Sequence, residues 1–125
     1  MVRVIVIDDD VDTVAVFCEF LEIKGIQVLG RGYDGKNAVE LYEKLKPDVV
    51  LLDIMMPEYD GFYALENIKK IDPGAKVIMV TADLSHDVEK LDRLKASAVI
   101  YKPYEIDKVI ETIHNVHNGD NVLTK

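Results

Sequence analysis

The residues best suited to chemistry are aspartates near the start of the chain. Asp8, Asp9, Asp10 and Asp12 follow directly on an apolar run at residues 4–7. Carboxylates about 4 Å apart repel each other by about 4 kcal/mol at an effective dielectric constant of about 20. A hard divalent cation such as Mg²⁺, Mn²⁺ or Ca²⁺ relieves that repulsion. The cluster therefore indicates a cation site, although Asp10 and Asp12 are also explained as the acidic start of a helix.

A calcium-binding loop is one alternative interpretation of this segment. Asp8, Asp10, Asp12 and Glu19 occupy places one, three, five and twelve of such a loop. Place six, where the sharp turn requires glycine, is Thr13, and a strand-like run rather than a helix leads in. A calcium loop is therefore disfavoured.

A second alternative is the pattern D-x-D-x-[TV] of aspartyl-phosphate hydrolases, which residues 10–14 match. It would make Asp10 the nucleophile of a small phosphatase. The first aspartate of that pattern should directly follow a strand, whereas Asp8 and Asp9 intervene here, and 125 residues is short for that class. The phosphatase is kept as the alternative function.

Five short β-branched runs alternate with helical patterns along the chain. The runs cover residues 2–7, 26–29, 49–52, 76–80 and 98–101. Their nearly continuous apolarity is typical of strands covered on both faces, and apolar residues at helical spacing separate them. This alternation predicts the α/β class: a doubly wound, five-stranded parallel sheet with helices on both faces.

The ends of these strands carry the other reactive groups. In a parallel sheet every strand delivers its last residue to the same edge, where open α/β folds bind ligands. Four of the five runs end in chemically useful residues: Asp8 and Asp9, then Asp53, then Thr81 and Ala82, then Lys102. Mg²⁺ takes one or two carboxylates and shares its shell with phosphate, and an ammonium and a hydroxyl neutralise and orient phosphoryl oxygens. A phosphate-handling magnesium site is predicted.

The composition limits the partners and the location. The net charge of −8 makes nucleic acid and anionic membranes poor partners. The single cysteine, Cys18, excludes a disulfide framework. No apolar run approaches the ~20 residues needed to span a bilayer, and the N-terminus lacks a signal-peptide pattern. We expect a cytoplasmic protein with one domain at residues 1–120 and a tail at 121–125.

Taken in order, the strand ends resemble the receiver domain of two-component response regulators. The matching segments are Asp8-Asp9, VVLLDIMMPEYDG at residues 49–61, VTA at 80–82 and YKP at 101–103. The resemblance extends from residue 2 to about residue 118. It implies a flavodoxin-like fold with strand order 2-1-3-4-5, as in single-domain receivers of the chemotaxis type.

The resemblance also implies roles for individual residues. Asp53 would be the phosphoacceptor, attacking a phosphohistidine on a sensor histidine kinase or phosphotransfer protein. Asp9 and Asp53, with the main-chain carbonyl of Met55, would hold Mg²⁺, for which Mn²⁺ can substitute. Asp8 would contribute to the metal site mostly through water.

A second set of residues would bind the phosphoryl group. Lys102 would pair with it, and the Thr81 hydroxyl and the Ala82 backbone N–H would bind its oxygens beside Met55. Asp53, Lys102 and Thr81 would thus be the catalytic residues. The Lys102–Pro103 peptide bond would be cis.

The chain departs from the family at the position of the usual aromatic switch. An aromatic residue commonly lies three residues before the lysine, and here that residue is Val99. Strand alternation places Tyr101 on the same face as Val99. Met55 and Asp83 lie beside the site and are expected to tune the lifetime of the phosphoryl group.

The function implied by the resemblance is a phosphorylatable signalling switch. Such a domain is not an enzyme for an external substrate, since it catalyses only its own phosphorylation and dephosphorylation. Phosphorylation would change its binding to a downstream protein. We expect a monomer, with dimerisation after phosphorylation left open.

Overall fold

Strands and helices alternate along the chain. The computed structural model describes residues 1–82 and 88–119. The strands are β1 (Arg3–Ile7), β2 (Gln27–Gly32), β3 (Val49–Asp53), β4 (Val77–Thr81) and β5 (Ala98–Tyr101). The helices are α1 (Val11–Ile23), α2 (Gly35–Leu45), α3 (Gly61–Ile71), α4 (Val88–Arg93) and α5 (Ile106–His117). The predicted tail at 121–125 lies outside the described residues, so the domain boundary stays a prediction.

The five strands form one parallel sheet in the order β2-β1-β3-β4-β5. The predicted fold class and strand order are therefore confirmed. The largest difference between the predicted and observed strands is in β2, which continues to Gly32, whereas the apolar pattern ends at residue 29. A Cβ on Gly30 would lie 2.7 Å from Leu45 Cδ1, and one on Gly32 2.6 Å from Ile7 Cδ1, so a larger residue would have to displace these side-chain ends.

Helices cover both faces of the sheet and create two apolar layers. Alternate strand residues point to opposite faces, so Val4 and Val6 enter one layer while Ile5 and Ile7 enter the other. The first layer packs under α1 and α5, and the second under α2, α3 and α4. Both faces of the central strands are thus dry, which explains the nearly continuous apolar runs.

Aspartates begin three of the helices. Asp10, Asp34 and Asp60 are the N-cap residues of α1, α2 and α3, and each carboxylate accepts at least one hydrogen bond from a backbone N–H of the first turn. Each cap lies in a turn that follows a strand, so the caps add negative charge to the carboxyl edge of the sheet. Within the described residues, every helix is too short or too polar to cross a bilayer.

Candidate functional site

Three carboxylates meet at the carboxyl edge of the sheet. Asp8 and Asp9 follow β1, and Asp53 is the last residue of β3, the strand paired with β1. One oxygen from each of the three lies within 4.8 Å of the others. Asp8 and Asp53 are buried, whereas Asp9 is exposed. Residues 45 positions apart are thus joined because adjacent parallel strands end together.

Among the residues that the structure describes, one ammonium group, from the turn after β5, pairs with Asp8 and Asp53. Lys102 Nζ lies 3.1 Å from Asp8 Oδ2 and 3.7 Å from Asp53 Oδ2. Two strands, β3 and β4, separate β5 from β1, so only a long side chain can make both contacts. The Lys102 backbone N–H donates to the Thr81 carbonyl, 2.8 Å away, and the Lys102–Pro103 peptide bond is cis, as expected.

The electrostatics of Asp53 follow from its burial. Desolvation raises its pKa to about 6, the positive charge of Lys102 opposes this rise, and the negative charge of Asp8 adds to it. In the same group of charges, burial acts to lower the pKa of Lys102, but the hydrogen bond to Asp8 and the charge of Asp53 raise it overall. A cationic Lys102 therefore faces a carboxylate that is costly to ionise without a further positive charge.

Backbone groups hold the carboxylates in place. The Asp10 N–H donates to Asp8 Oδ1 at 3.0 Å, and the Met55 N–H approaches Asp53 Oδ1 at 3.4 Å. With Lys102 on Oδ2, both oxygens of Asp8 have a donor. The orientation of Asp8 is thus set by the turn that starts α1 and by the turn after β5.

Gly61 supports Asp53 from behind, a role that the sequence interpretation missed. A Cβ at this position would lie 2.5 Å from the Asp53 carbonyl oxygen and 2.7 Å from Ile54 Cα. The Gly61 N–H also donates to the Ile54 carbonyl at 3.0 Å. The signal was present in the glycine that ends the segment at residues 49–61, but its meaning depends on the fold of the loop between β3 and α3.

The remaining predicted site residues have different positions. Thr81 is fully buried at the end of β4, and Ala82 next to it is exposed. The Met55 side chain is exposed on the loop after β3. Val99 is half-buried against the layer under α2, α3 and α4, and Tyr101 is exposed two residues further along β5. Asp83 lies outside the described residues.

The structure decides between the alternatives for the acidic segment. Residues 11–23 are helical, which excludes a calcium loop over residues 8–19. Asp10 Oδ1 instead accepts the N–H groups of Asp12 and Thr13, and these hydrogen bonds lower the pKa of Asp10. Asp10 is fully exposed to solvent and does not belong to the carboxylate trio, so its position gives no support to a phosphatase nucleophile.

The comparison with known families decides the class of the protein. The family model for the response regulator receiver domain matches residues 4–114. The chain belongs to this family. Receiver domains are signalling switches rather than enzymes for an external substrate, and CheY-like members take phosphoryl groups from histidine kinases.

Individual relatives of this receiver domain agree with that assignment. The chain is 36% identical to the chemotaxis protein CheY of Thermotoga maritima, over 91% of this chain and 96% of that protein. It is 41% identical to the protein CcdB of Bacillus subtilis, over 93% and 98%. Its structure is similar to that of the CheX–CheY–BeF₃–Mg²⁺ complex from Borrelia burgdorferi, with a TM-score of 0.85, 33% identity and coverage of 92% of this chain and 88% of that one.

The carboxylate trio of this receiver domain fits a magnesium ion. Receiver domains bind Mg²⁺ in a cluster of acidic residues, and Asp8, Asp9 and Asp53 form such a cluster. Hard carboxylate oxygens are the ligands that Mg²⁺ prefers. The raised pKa of Asp53 gives an independent reason, because a dication would offset the cost of ionising this buried group.

Proposed function

We propose that this receiver domain accepts a phosphoryl group on Asp53 from a phosphohistidine of a sensor histidine kinase or phosphotransfer protein. The reaction depends on Mg²⁺, with Mn²⁺ as a substitute, and it changes binding to a downstream protein. One observation carries the proposal: the buried Asp53 carboxylate lies within 3.7 Å of a lysine ammonium and belongs to a trio of carboxylates close enough together to hold a metal ion.

The carboxylates and the lysine ammonium of the site define how the phosphoryl group is transferred. An oxygen of Asp53 forms the new bond to phosphorus, while the bond from phosphorus to the histidine nitrogen breaks and its electron pair stays on the imidazole. Asp9, Asp53 and the Met55 carbonyl would hold the metal ion, with Asp8 contributing mostly through water. The bound ion supplies positive charge to the phosphoryl oxygens. Lys102 orients and neutralises the same oxygens from the β5 side.

The bound phosphoryl group then has partners on β4 and β5. Thr81 ends the strand that pairs with β3, and Ala82 follows it. The Thr81 hydroxyl and the Ala82 N–H would bind phosphoryl oxygens. Phosphorylation adds up to two negative charges and three acceptor oxygens. Lys102 would exchange its pairing with Asp8 for the phosphoryl group, and this exchange changes the turn after β5.

The conformational change that follows phosphorylation reaches a partner protein through β5, although β5 lacks the aromatic residue that is the usual switch of the family. Val99 is already half-buried, so it cannot swing as an exposed ring does, and Tyr101 is the exposed aromatic on the same strand. We infer that Tyr101 and the surfaces of α4 and α5 beside it carry the signal to the downstream protein. The same proposal includes a cytoplasmic location, a monomeric ground state and no direct nucleic-acid partner.

An apolar groove beside the site is suited to the phosphoryl donor. The groove lies between α1 and the start of α5, and Val16, Phe20, Tyr104 and Ile106 line it. Val16 is 53% exposed and Phe20 is 49% exposed, although both are apolar. Exposed apolar residues at helical spacing are typical of a surface that another helix covers. The groove shares Phe17 and Tyr104 with the small pocket that Asp53 lines, so a donor docked there would be close to the site.

The lifetime of the phosphoryl group depends on residues beside it. Met55 offers no hydrogen bond to an attacking water molecule, and Asp83, two residues after Thr81 in the sequence, is expected to add negative charge. We therefore expect slow self-dephosphorylation. The variant Met55→Asn should shorten the lifetime several-fold, measured by loss of label from the purified phosphoprotein; an unchanged or longer lifetime would contradict the role of Met55.

The proposed function is tested with a small phosphoryl donor. The chain is incubated with acetyl phosphate and Mg²⁺, and the mass of the intact protein is measured for the wild type, Asp53→Asn and Asp10→Asn. We expect the phosphoryl adduct in the wild type and in Asp10→Asn, and its loss in Asp53→Asn. Loss of the adduct only in Asp10→Asn would contradict the signalling switch and support the alternative function, a phosphatase that uses Asp10.

A further inference from the structure

A basic cleft lies at the opposite edge of the sheet from Asp53. It has a volume of about 330 Å³ between the end of α3 and the end of α4. The charged side chains and one apolar side chain that line the cleft are Glu66, Lys69, Lys70, Arg93, Leu94 and Lys95. Four cations thus face one carboxylate in a chain whose net charge is −8.

The cations of this cleft are incompletely neutralised. Glu66 pairs with Lys70 at 3.8 Å, and Lys69 donates to the Ala75 carbonyl. In the described part of the chain, neither Arg93 nor Lys95 forms an ion pair. The cleft therefore has positive charge that a ligand can use.

Lys69 and Lys95 lie close enough to influence each other. Burial is the main cause that lowers the pKa of Lys69; Asp72 opposes it, and the positive charge of Lys95 lowers the pKa further. Helix dipoles explain part of the arrangement, because cations are favourable in the last turn of a helix. They do not explain why the cations of two helices face the same cleft.

Lys95 has an unfavourable backbone conformation for a residue with a side chain. Its φ is +65°, in the left-handed region that favours glycine, and it follows the last turn of α4. Of the other turns that follow helices, two use glycine with positive φ, Gly25 and Gly119, and one uses Lys46 at φ +48°. A lysine in place of glycine costs stability here and adds a cation to the cleft.

The size and lining of the cleft define its occupant. A volume of 330 Å³ holds a few side chains rather than a nucleic-acid duplex, and the negative net charge of the chain opposes large polyanions. Leu94 is half-buried and provides an apolar wall between the cations. We propose that this cleft binds a short acidic segment of a partner protein, with carboxylates on either side of an apolar residue.

This binding is separate from the phosphoryl chemistry at Asp53. It is tested by titrating the ¹⁵N-labelled chain with the peptide acetyl-Glu-Glu-Leu-Glu-Glu-amide and following backbone amide shifts. We expect saturable shifts at Lys69, Leu94 and Lys95, with a dissociation constant of about 0.1 to 1 mM for so small a contact. The matching peptide with glutamine in place of glutamate should not bind.

Charge-reversal variants distinguish the cleft from the general field of the protein. Arg93→Glu with Lys95→Glu should weaken peptide binding at least fivefold. Lys36→Glu with Lys44→Glu changes the net charge equally at two exposed cations of α2 and should weaken it less than twofold. Neutral Arg93→Gln with Lys95→Gln should give an intermediate loss, which guards against misfolding of the reversed variant.

Three results would overturn the proposal. The first is a set of peptide-induced shifts that maps away from the cleft. The second is an equal loss of affinity in the cleft and α2 variants. The third is tighter binding of a 12-base-pair DNA duplex or of anionic lipid vesicles through the same residues, which would replace the acidic segment by another class of partner.

Discussion

The two edges of the sheet have opposite charge. At the carboxyl edge the turns from strand to helix carry aspartates, including Asp8, Asp9 and Asp53 in the site and the caps Asp34 and Asp60. At the amino edge a cation lies within three residues of the start of every strand: Arg3, Lys24, Lys46, Lys76 and Lys95. Helix ends explain the difference, because N-termini favour anions and C-termini favour cations.

The two edges also differ in how their charges are balanced. At the carboxyl edge Asp8 and Asp53 share one lysine, and together with Asp9 they form a carboxylate cluster that fits a metal ion. At the amino edge some charges are balanced locally, as in the Arg3–Asp48 pair at 3.2 Å, while Arg93 and Lys95 of the cleft form no ion pair with the residues that the structure describes. The carboxyl edge is therefore suited to bind a cation and phosphate, and the amino edge to bind carboxylates.

The largest expected effect is structural and is confined to the carboxyl edge. Gly61→Ala should lower the free energy of unfolding by about 3 kcal/mol, because its Cβ would overlap backbone atoms of Asp53 and Ile54 that cannot move independently. Gly74→Ala is the control, since its Cβ would meet only Asp72 Oδ1 at 3.4 Å. Urea unfolding checks both variants, and equal stabilities would contradict the tight contact at Gly61.

Neutralising one aspartate at each edge should change stability in opposite directions. Asp53 has a raised pKa, so its ionised form destabilises the metal-free fold above pH about 6, and this penalty disappears as the pH falls towards 4. Asp53→Asn should therefore gain about 1 to 3 kcal/mol at pH 7.5 in a chelator, and the gain should shrink at low pH.

Asp48 is the matching residue at the amino edge. Desolvation acts to raise its pKa, but hydrogen bonds from Arg3 and the charge of Arg3 lower it overall. Its contribution is thus present above the unfolded pKa and lost as the pH falls through the lower folded value. Asp48→Asn should lose about 0.5 kcal/mol at pH 7.5. Thermal unfolding of both variants from pH 3 to pH 8 tests these predictions. A stability change of the same sign in Asp53→Asn and Asp48→Asn at pH 7.5 would refute the contrast.

Removing a lysine should affect metal binding only at the carboxyl edge. Lys102→Met removes a positive charge 3.1 Å from Asp8 and 3.7 Å from Asp53, so Mg²⁺ affinity should rise at least threefold, as calorimetry can measure. Lys95→Met, at the other edge, should leave the affinity within about 1.5-fold. Similar increases in both variants would mean that only the total charge matters.

The smallest effect concerns the conformation of Lys95. Lys95→Gly should raise the free energy of unfolding by about 0.5 to 1 kcal/mol, because glycine adopts φ +65° without strain, while it weakens binding of the acidic peptide. Lys44→Gly, inside α2, should instead lower stability by a similar amount. Chemical unfolding of the two variants tests this prediction. A destabilised Lys95→Gly would show that the backbone at Lys95 is unstrained in the native protein.

Much of the fold could be predicted from local patterns. The apolar runs located all five strands, and a helix follows each of them, as the alternating pattern predicted. The end of β2 was missed because glycines in a strand carry no hydrophobic signal, although here they permit close packing of Leu45. Local patterns also left the role of Gly61 open, since its contacts belong to a loop that only the fold defines.

The order and type of the elements, the acidic strand ends and the family motifs are determined by the sequence itself. They depend on side-chain periodicity and on helix ends, which are local in the chain. Only the tertiary structure decided that Asp8, Asp9, Asp53 and Lys102 meet, that Asp10 serves as a cap, and that α3 and α4 share a basic cleft. These outcomes depend on distances between residues remote in sequence, and those distances are set by strand pairing and by the packing of helices on the sheet.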